Sequence, residues 1–407
     1  MLQYLWQHKN WTEFRWDANA LLVPLGECRL RQGRLLERVR GLGFELATEA
    51  VADVLVAEAV QTSAIEGERL DERAVRSSVA RRLGLPSVGL PVSRDADGLV
   101  SVLLDATQKY DEPLTAERLK GWQAALFPTG YSGIHRIIAG EWRGREPMRV
   151  VSGPLGRETV HFEAPPVERV EAEMQAFLSW WGKSRWKAEG ILRAALAHLR
   201  FLTVHPFEDG NGRVARALTD MALAQDERES RRFYSLSSRV MAEREAYYDI
   251  LERTQKGDGD VTPWLLWFLE CMQRALESSE QLLGNVLAKG EFWRDHAGVP
   301  LSERQRKVVN RLLDAGPGGF EGGLTTRKYA SLAGVSRVTA FREISQLLEQ
   351  GMVKQNPGGG RSASYAIVWP EKVVKERIAA AYGFLADGVK PLTEELLAER
   401  KKDFSDK

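Results

Sequence analysis

The stretch HPFEDGNGRVAR, His205 to Arg216, places one histidine, two acids, two arginines and two glycines within twelve residues. Apolar residues flank it at helical spacing: Ile191, Leu192, Ala195, Leu196 and Leu199 before it, Val214, Ala217, Leu218 and Met221 in its wake. Two helices therefore meet at a loop dense in ionisable groups. The first delivers His205 at its C-terminal end, and the second is expected to begin near Gly212 or Arg213. The leading N–H groups of that second helix lack helical partners, and with the dipole they form an anion site. Gly210 and Gly212 let the backbone turn sharply and approach a ligand closely. Asn211 adds a side-chain donor. Arg213 and Arg216, three apart, put two positive charges on nearly one face. The pattern favours phosphate. Asp209 is a hard oxygen ligand suited to Mg2+ shared with phosphate oxygens, and His205 can take a proton near neutral pH. A base, a metal ligand and an anion cradle point to attack by a hydroxyl on phosphorus. Phe207 is expected to turn inward and anchor the loop.

These residues match the signature His-x-Phe-x-Asp/Glu-Gly-Asn-Gly-Arg-x-x-Arg, and the chain resembles the Fic family. The resemblance takes in a helical N-terminal region, a helical core and a C-terminal winged helix. It implies a protein adenylyltransferase that moves AMP from ATP to a hydroxyl of a target protein and releases pyrophosphate. His205 would deprotonate the target, and Asp209 would bind Mg2+. Asn211 and the backbone of Gly210 and Gly212 would hold the α-phosphate. Arg213 would stabilise phosphate charge, and Arg216 would reach the terminal phosphate. Two further readings stay open: the same site removing AMP or carrying another nucleotide, and a DNA-binding regulator in which it only senses nucleotide.

TSAIEG, Thr62 to Gly67, resembles the family's inhibitory pattern Ser/Thr-x-x-x-Glu-Gly/Asn. A Glu66 carboxylate paired with Arg216 would take that arginine from the γ-phosphate and spoil in-line attack. In MRVVSGPLGRETVHFEAPP, Met148 to Pro166, RVV and TVHF flank a Gly/Pro-rich turn, which reads as a β-hairpin. In related proteins such a flap holds the target by strand pairing. Pro165 and Pro166 then start a helix at Val167. Tyr248 and Gln255, seven apart, share a helix face, and by resemblance they border the adenine site.

Lysine plus arginine is 57 against 56 acids, a net charge of +1, so the chain is not a globally basic nucleic-acid coat. The two cysteines, Cys28 and Cys271, match no metal spacing and read as buried thiols of a reducing compartment. No stretch is long and apolar enough to span a bilayer, and the N-terminus lacks a signal-peptide pattern. A cytoplasmic protein without membrane contact is expected.

The fold class expected is mainly α: a Fic helical-bundle core with a β-hairpin flap, plus a C-terminal winged helix-turn-helix. The divisions read as 1–84, an N-terminal helical region with the inhibitory motif; 85–275, the catalytic core; 276–300, a helical linker; 301–370, the winged helix; and 371–407, a charged tail. In the winged helix one helix ends at Gly334, and a second starts on the N-cap Ser336 and stops at Gly351. A hairpin follows with Gly358 to Gly360 at its tip. Leu324 to Arg361 carries Arg327, Lys328, Arg337, Arg342, Lys354 and Arg361 against Glu343 and Glu349. Arg337, Thr339 and Arg342 would face a DNA groove or a protein partner. A homodimer is the remaining partner expectation.

Overall fold

The computed structural model describes residues 4–40, 44–85, 93–144, 147–152, 157, 159–316, 320–357 and 363–370. The chain divides into two compact units, Met1–Leu283 and Gly284–Lys407. Helices dominate the first: α1 (Ala18–Arg40), α2 (Phe44–Ile65), α3 (Glu72–Arg82), α4 (Arg94–Gln108) and α5 (Ala116–Leu126) come in succession. Two short antiparallel hairpins follow, β1 (Tyr131–Ser132) with β2 (His135–Arg136), and β3 (Arg149–Ser152) with β4 (Thr159–Glu163). Then come α6 (Val167–Ser184), α7 (Gly190–Val204), α8 (Asn211–Glu227), α9 (Leu236–Ala242), α10 (Arg244–Gln255) and α11 (Thr262–Asp295).

The apolar periodicity of α7 and α8 is answered by burial. Every residue from Ile191 to Val204 is buried, and α8 is buried from Arg213 to Gln225. These two helices pack along each other at the centre of the unit, with α4 against α8 and α6 against α7. Polar ties add register to this core: Trp264 Nε1 of α11 donates to the Ala195 carbonyl at 2.9 Å. The buried N-terminal tryptophan Trp6 donates to the Glu163 carbonyl at the end of β4, at 2.7 Å. Cys28 and Cys271 are buried and free, and burial pushes both thiols up to about 12.

The second unit holds α12 (Glu303–Asp314), α13 (Thr326–Ala333) and α14 (Arg337–Glu349), then the antiparallel pair β5 (Val353–Gln355) and β6 (Tyr365–Ile367). Caps explain its helix ends: Ser336 Oγ accepts from Thr339 N at 3.2 Å, and Gly334 closes α13 with φ +66°. Its core gathers Val308, Leu312, Tyr329, Ile344 and Leu347 around Phe292. Phe292 lies on the last turns of α11, inside the stretch 276–300 expected to be a linker. The triple glycine at 358–360, Arg361, the flap turn at 153–156 and the tail 371–407 lie outside the described residues. No helix among the described residues is long and apolar enough to cross a membrane.

Candidate active site

His205 ends α7 in the left-handed region, at φ 51° and ψ 60°. For a residue with a Cβ this costs on the order of 1–3 kcal/mol, and such strain gathers at functional sites. The strained turn is held from outside. Buried Arg143 donates its Nε to the His205 carbonyl at 2.9 Å, and its backbone N–H to the Pro206 carbonyl at 2.8 Å. Phe207 is fully buried beside Phe201 and Trp142. The imidazole Nδ1 faces the Leu202 carbonyl at 3.3 Å. A carbonyl only accepts, so Nδ1 carries the proton and Nε2 keeps its lone pair. Burial pulls the His205 imidazole down to about 4, against weaker raising effects from the Leu202 carbonyl and the nearby Glu66 and Asp209 carboxylates. It is therefore neutral at pH 7.

Helix α8 starts at Asn211, one residue before the sequence expectation, because Gly210 closes the loop at φ +85°. A Cβ on Gly210 would also lie 2.9 Å from Phe127, so only glycine fits there. Gly210 provides no side-chain cap for α8, which leaves the helix terminus suited to an anion. The Asn211 side chain is used within the loop: Oδ1 accepts from Phe207 N at 3.0 Å, and Nδ2 donates to the Phe207 carbonyl at 2.8 Å. Asn211 thus fixes the loop's shape, and its side chain is not turned out as a free donor.

The Asp209 carboxylate accepts from the Ser132 hydroxyl and from Gly210 N. A carboxylate has about four lone-pair positions, so two remain for a cation. No group of three or more metal-ligating side chains exists among the described residues. That donor set fits Mg2+, which is typically held by one or two carboxylates together with substrate phosphates.

Opposite the loop stands the turn after α2. Glu66 lies one residue past the helix end at Ile65. Its Oε1 accepts from Arg216 Nη2 at 2.7 Å. Arg216 also donates to the Thr62 hydroxyl at 2.6 Å and the Thr62 carbonyl at 2.9 Å. Burial alone would lower the Arg216 guanidinium's pKa, but the Glu66 carboxylate together with Tyr247 and Tyr248 leaves it raised. A Cβ placed on Gly212 would stand 2.0 Å from Glu66 Oε1. The carboxylate therefore rests on the first turn of α8, where an incoming anion would sit. Arg213 is held by Glu68 at 2.6 Å and packs over Phe127.

A cavity of about 510 Å³ joins these groups. Its walls include His205, Asp209, Gly210, Asn211, Gly212 and Glu66, with Val150, Val151 and His161 of the β3–β4 hairpin, and Tyr247, Tyr248 and Gln255 of α10. Tyr248 donates to the Ile65 carbonyl at 3.3 Å, and Gln255 Nε2 to Thr203 Oγ1 at 3.4 Å. All ten residues singled out in the sequence thus meet around one space or, for Arg213 and Arg216, on the helix turn beneath it. Sequence reasoning missed Arg143, Ser132, Glu68 and Gln123, whose Nε2 approaches the Asp209 carbonyl at 3.4 Å. It also missed His198, buried in α7 between Tyr247 OH at 2.8 Å and Thr219 Oγ1 at 3.0 Å, with a pKa drawn down to about 3 by burial and by Arg216.

Two neutral imidazoles make stability depend on pH. In the unfolded chain each titrates near about 6.5, above its native value. The unfolded state then binds more protons in acid, so stability rises with pH across this window and is lost as pH falls from about 6.5 toward 4. Melting temperature measured from pH 8 to 4 should hold at the alkaline end and fall steadily below about pH 6.5. A flat profile down to pH 5 would show that the fold leaves both histidines near their ordinary values.

The geometry defines a helical scaffold that sets a neutral histidine beside a helix terminus suited to an anion. Residues 113–223 match the Fic/DOC family, and the chain carries a Fic domain there. Residues 4–85 match a domain of unknown function, DUF4172. The chain is 26% identical over 231 residues to the protein adenylyltransferase Fic of Nematostella vectensis, covering 56% of this chain and 49% of that protein. It is 40% identical over 117 residues to the uridine 5'-monophosphate transferase of Xanthomonas campestris pv. campestris (strain 8004), covering 27% of this chain and 21% of that one. It thus spans about half the length of the first relative and less of the second. A Fic family protein from Desulfovibrio desulfuricans G20 shares the fold, with a TM-score of 0.52 at 18% identity over 86% of this chain and 97% of that one.

Proposed function

We propose that the chain is a protein adenylyltransferase, held in check by Glu66. The observation that carries this is the seating of the Glu66 carboxylate on Gly212 and Arg216, inside the cavity that also holds His205. A phosphate chain entering there takes the place of the carboxylate. His205 Nε2 removes the proton from a target Ser, Thr or Tyr hydroxyl. The oxygen bonds to the α-phosphorus of ATP, and the bond to pyrophosphate breaks. Asp209 would hold Mg2+, which supplies charge neutralisation on the phosphates when bound. The β3–β4 hairpin supports the target backbone, and Tyr248 and Gln255 flank the base. The setting is cytoplasmic, and the exposed Arg337 and Arg342 of α14 suit a DNA or protein contact. The likeness to a uridine monophosphate transferase favours a second reading in which the nucleotide is UTP.

The test uses Glu66→Gly protein with Mg2+, a cell lysate and ATP labelled at either the α or the γ position. Label from the α position should appear on protein above the level of a His205→Ala control, and mass spectrometry of the labelled bands should show an added AMP. Excess unlabelled UTP should leave that signal unchanged. Competition by UTP supports the uridine reading, and a signal above the same control from the γ position but not from the α position would rule out nucleotidyl transfer.

A further inference from the structure

We infer that Glu68 is a second inhibitory carboxylate, which closes the anion site at Arg213 while Glu66 closes it at Arg216. The inference rests on the nucleotide reading above and extends it. Glu68 Oε2 stands 2.6 Å from Arg213 Nη1, and the arginine side chain is 6% exposed against 42% for the glutamate. The next carboxylate from Arg213 is Asp209, at 4.0 Å. A nearly buried guanidinium thus takes its close counter-charge from a separate stretch of chain.

The turn is built to present both acids together. Glu66 N and Glu68 N both donate to the Ser63 carbonyl, at 3.1 and 3.0 Å, and Gly67 between them takes φ +85°. The chain curls back on the end of α2, so that two glutamates two residues apart meet two arginines three apart on the first turns of α8. Ile65, just before these groups, is held from α10, its carbonyl accepting from Arg244 Nε at 2.8 Å. Burial raises the pKa of Glu68, with further raising by Asp209 and Glu66, and Arg213 opposes this. The glutamate is thus held against its acidic neighbours by the arginine.

Two arginines and a helix terminus form the cradle, and two carboxylates cancel its charge. A nucleotide must displace both to use the whole cradle, so Glu68 sets how much phosphate charge a ligand has to bring. Loss of Glu66 alone then leaves Arg213 covered.

Full-length wild type, Glu66→Gly, Glu68→Gln and the double variant would be titrated with ATP and with adenosine by calorimetry, and assayed for transfer. Glu68 is half exposed, so Glu68→Gln should tighten ATP by roughly three- to fivefold and leave adenosine unchanged. The double variant should exceed Glu66→Gly in ATP affinity and in transfer. In an Arg213→Ala background, Glu68→Gln should have no effect on ATP. Unchanged ATP affinity in Glu68→Gln, where Glu66→Gly tightens it, would reduce the Glu68 contact to an ordinary ion pair. Equal tightening of adenosine would show general loosening of the turn and overturn the assignment. If no variant binds ATP, the nucleotide reading itself falls.

Discussion

Replacing His205 by alanine is expected to slow transfer by about 10²–10⁴-fold, the usual cost of losing a general base. Affinity for ATP should change little, because the groups proposed to face phosphate are Arg213, Arg216 and the start of α8. The imidazole is already neutral, so activity should show no inflection near the ordinary histidine range and should fall only as pH drops toward about 4. Backbone strain provides a separate control. Glycine suits the left-handed turn at φ 51°, so His205→Gly should be as inactive as the alanine variant while melting at or above the wild-type temperature. Transfer at the wild-type rate in either variant would remove His205 from the reaction.

Glu66→Gly is expected to raise transfer by roughly ten- to a hundredfold. Its bond to Arg216 is charge-assisted and mostly shielded, with 5% of the arginine side chain and 31% of the glutamate exposed. Such bonds contribute about 1.5–3 kcal/mol, and release of that energy into nucleotide binding or alignment gives the stated range. Glu66→Asp should behave as a partly released form, since its shorter side chain lowers the carboxylate's reach toward Nη2. If Glu66 instead positions water for removal of AMP, Glu66→Gly would abolish release from a premodified target, so both directions belong in the assay. Equal transfer by wild type and Glu66→Gly would refute inhibition by this residue.

Much of this was legible because it is local. The loop packs its chemistry into consecutive residues, and the apolar spacing on either side fixes helices there. The hairpin at Arg149–Glu163 announced itself by alternation around a Gly/Pro turn, and the caps Gly334 and Ser336 placed α13 and α14. The hairpin at Tyr131–Arg136 went unseen, because its strands are two residues each and show no alternation. Arg143 and Gln123 stand among ordinary residues far along the chain from the loop they brace, and only folding brings them to it. Glu68 belongs to the run EGERLDER, which reads as a solvated face; burial of Arg213 gives it a partner. Asn211 shows the converse: the sequence places it in the loop as a side-chain donor to phosphate, but folding turns its amide onto Phe207.

The end of α2 with Thr62, and the turn after it with Glu66 and Glu68, belong to the same polypeptide as the arginines they contact. A tethered group of this kind acts at an effective concentration on the order of millimolar or above, set by chain geometry. Dilution of the protein therefore cannot free the loop, and crowding many copies together cannot close it further. On the proposed reading, the fraction of open sites would follow the free nucleotide concentration, with each molecule carrying its own threshold.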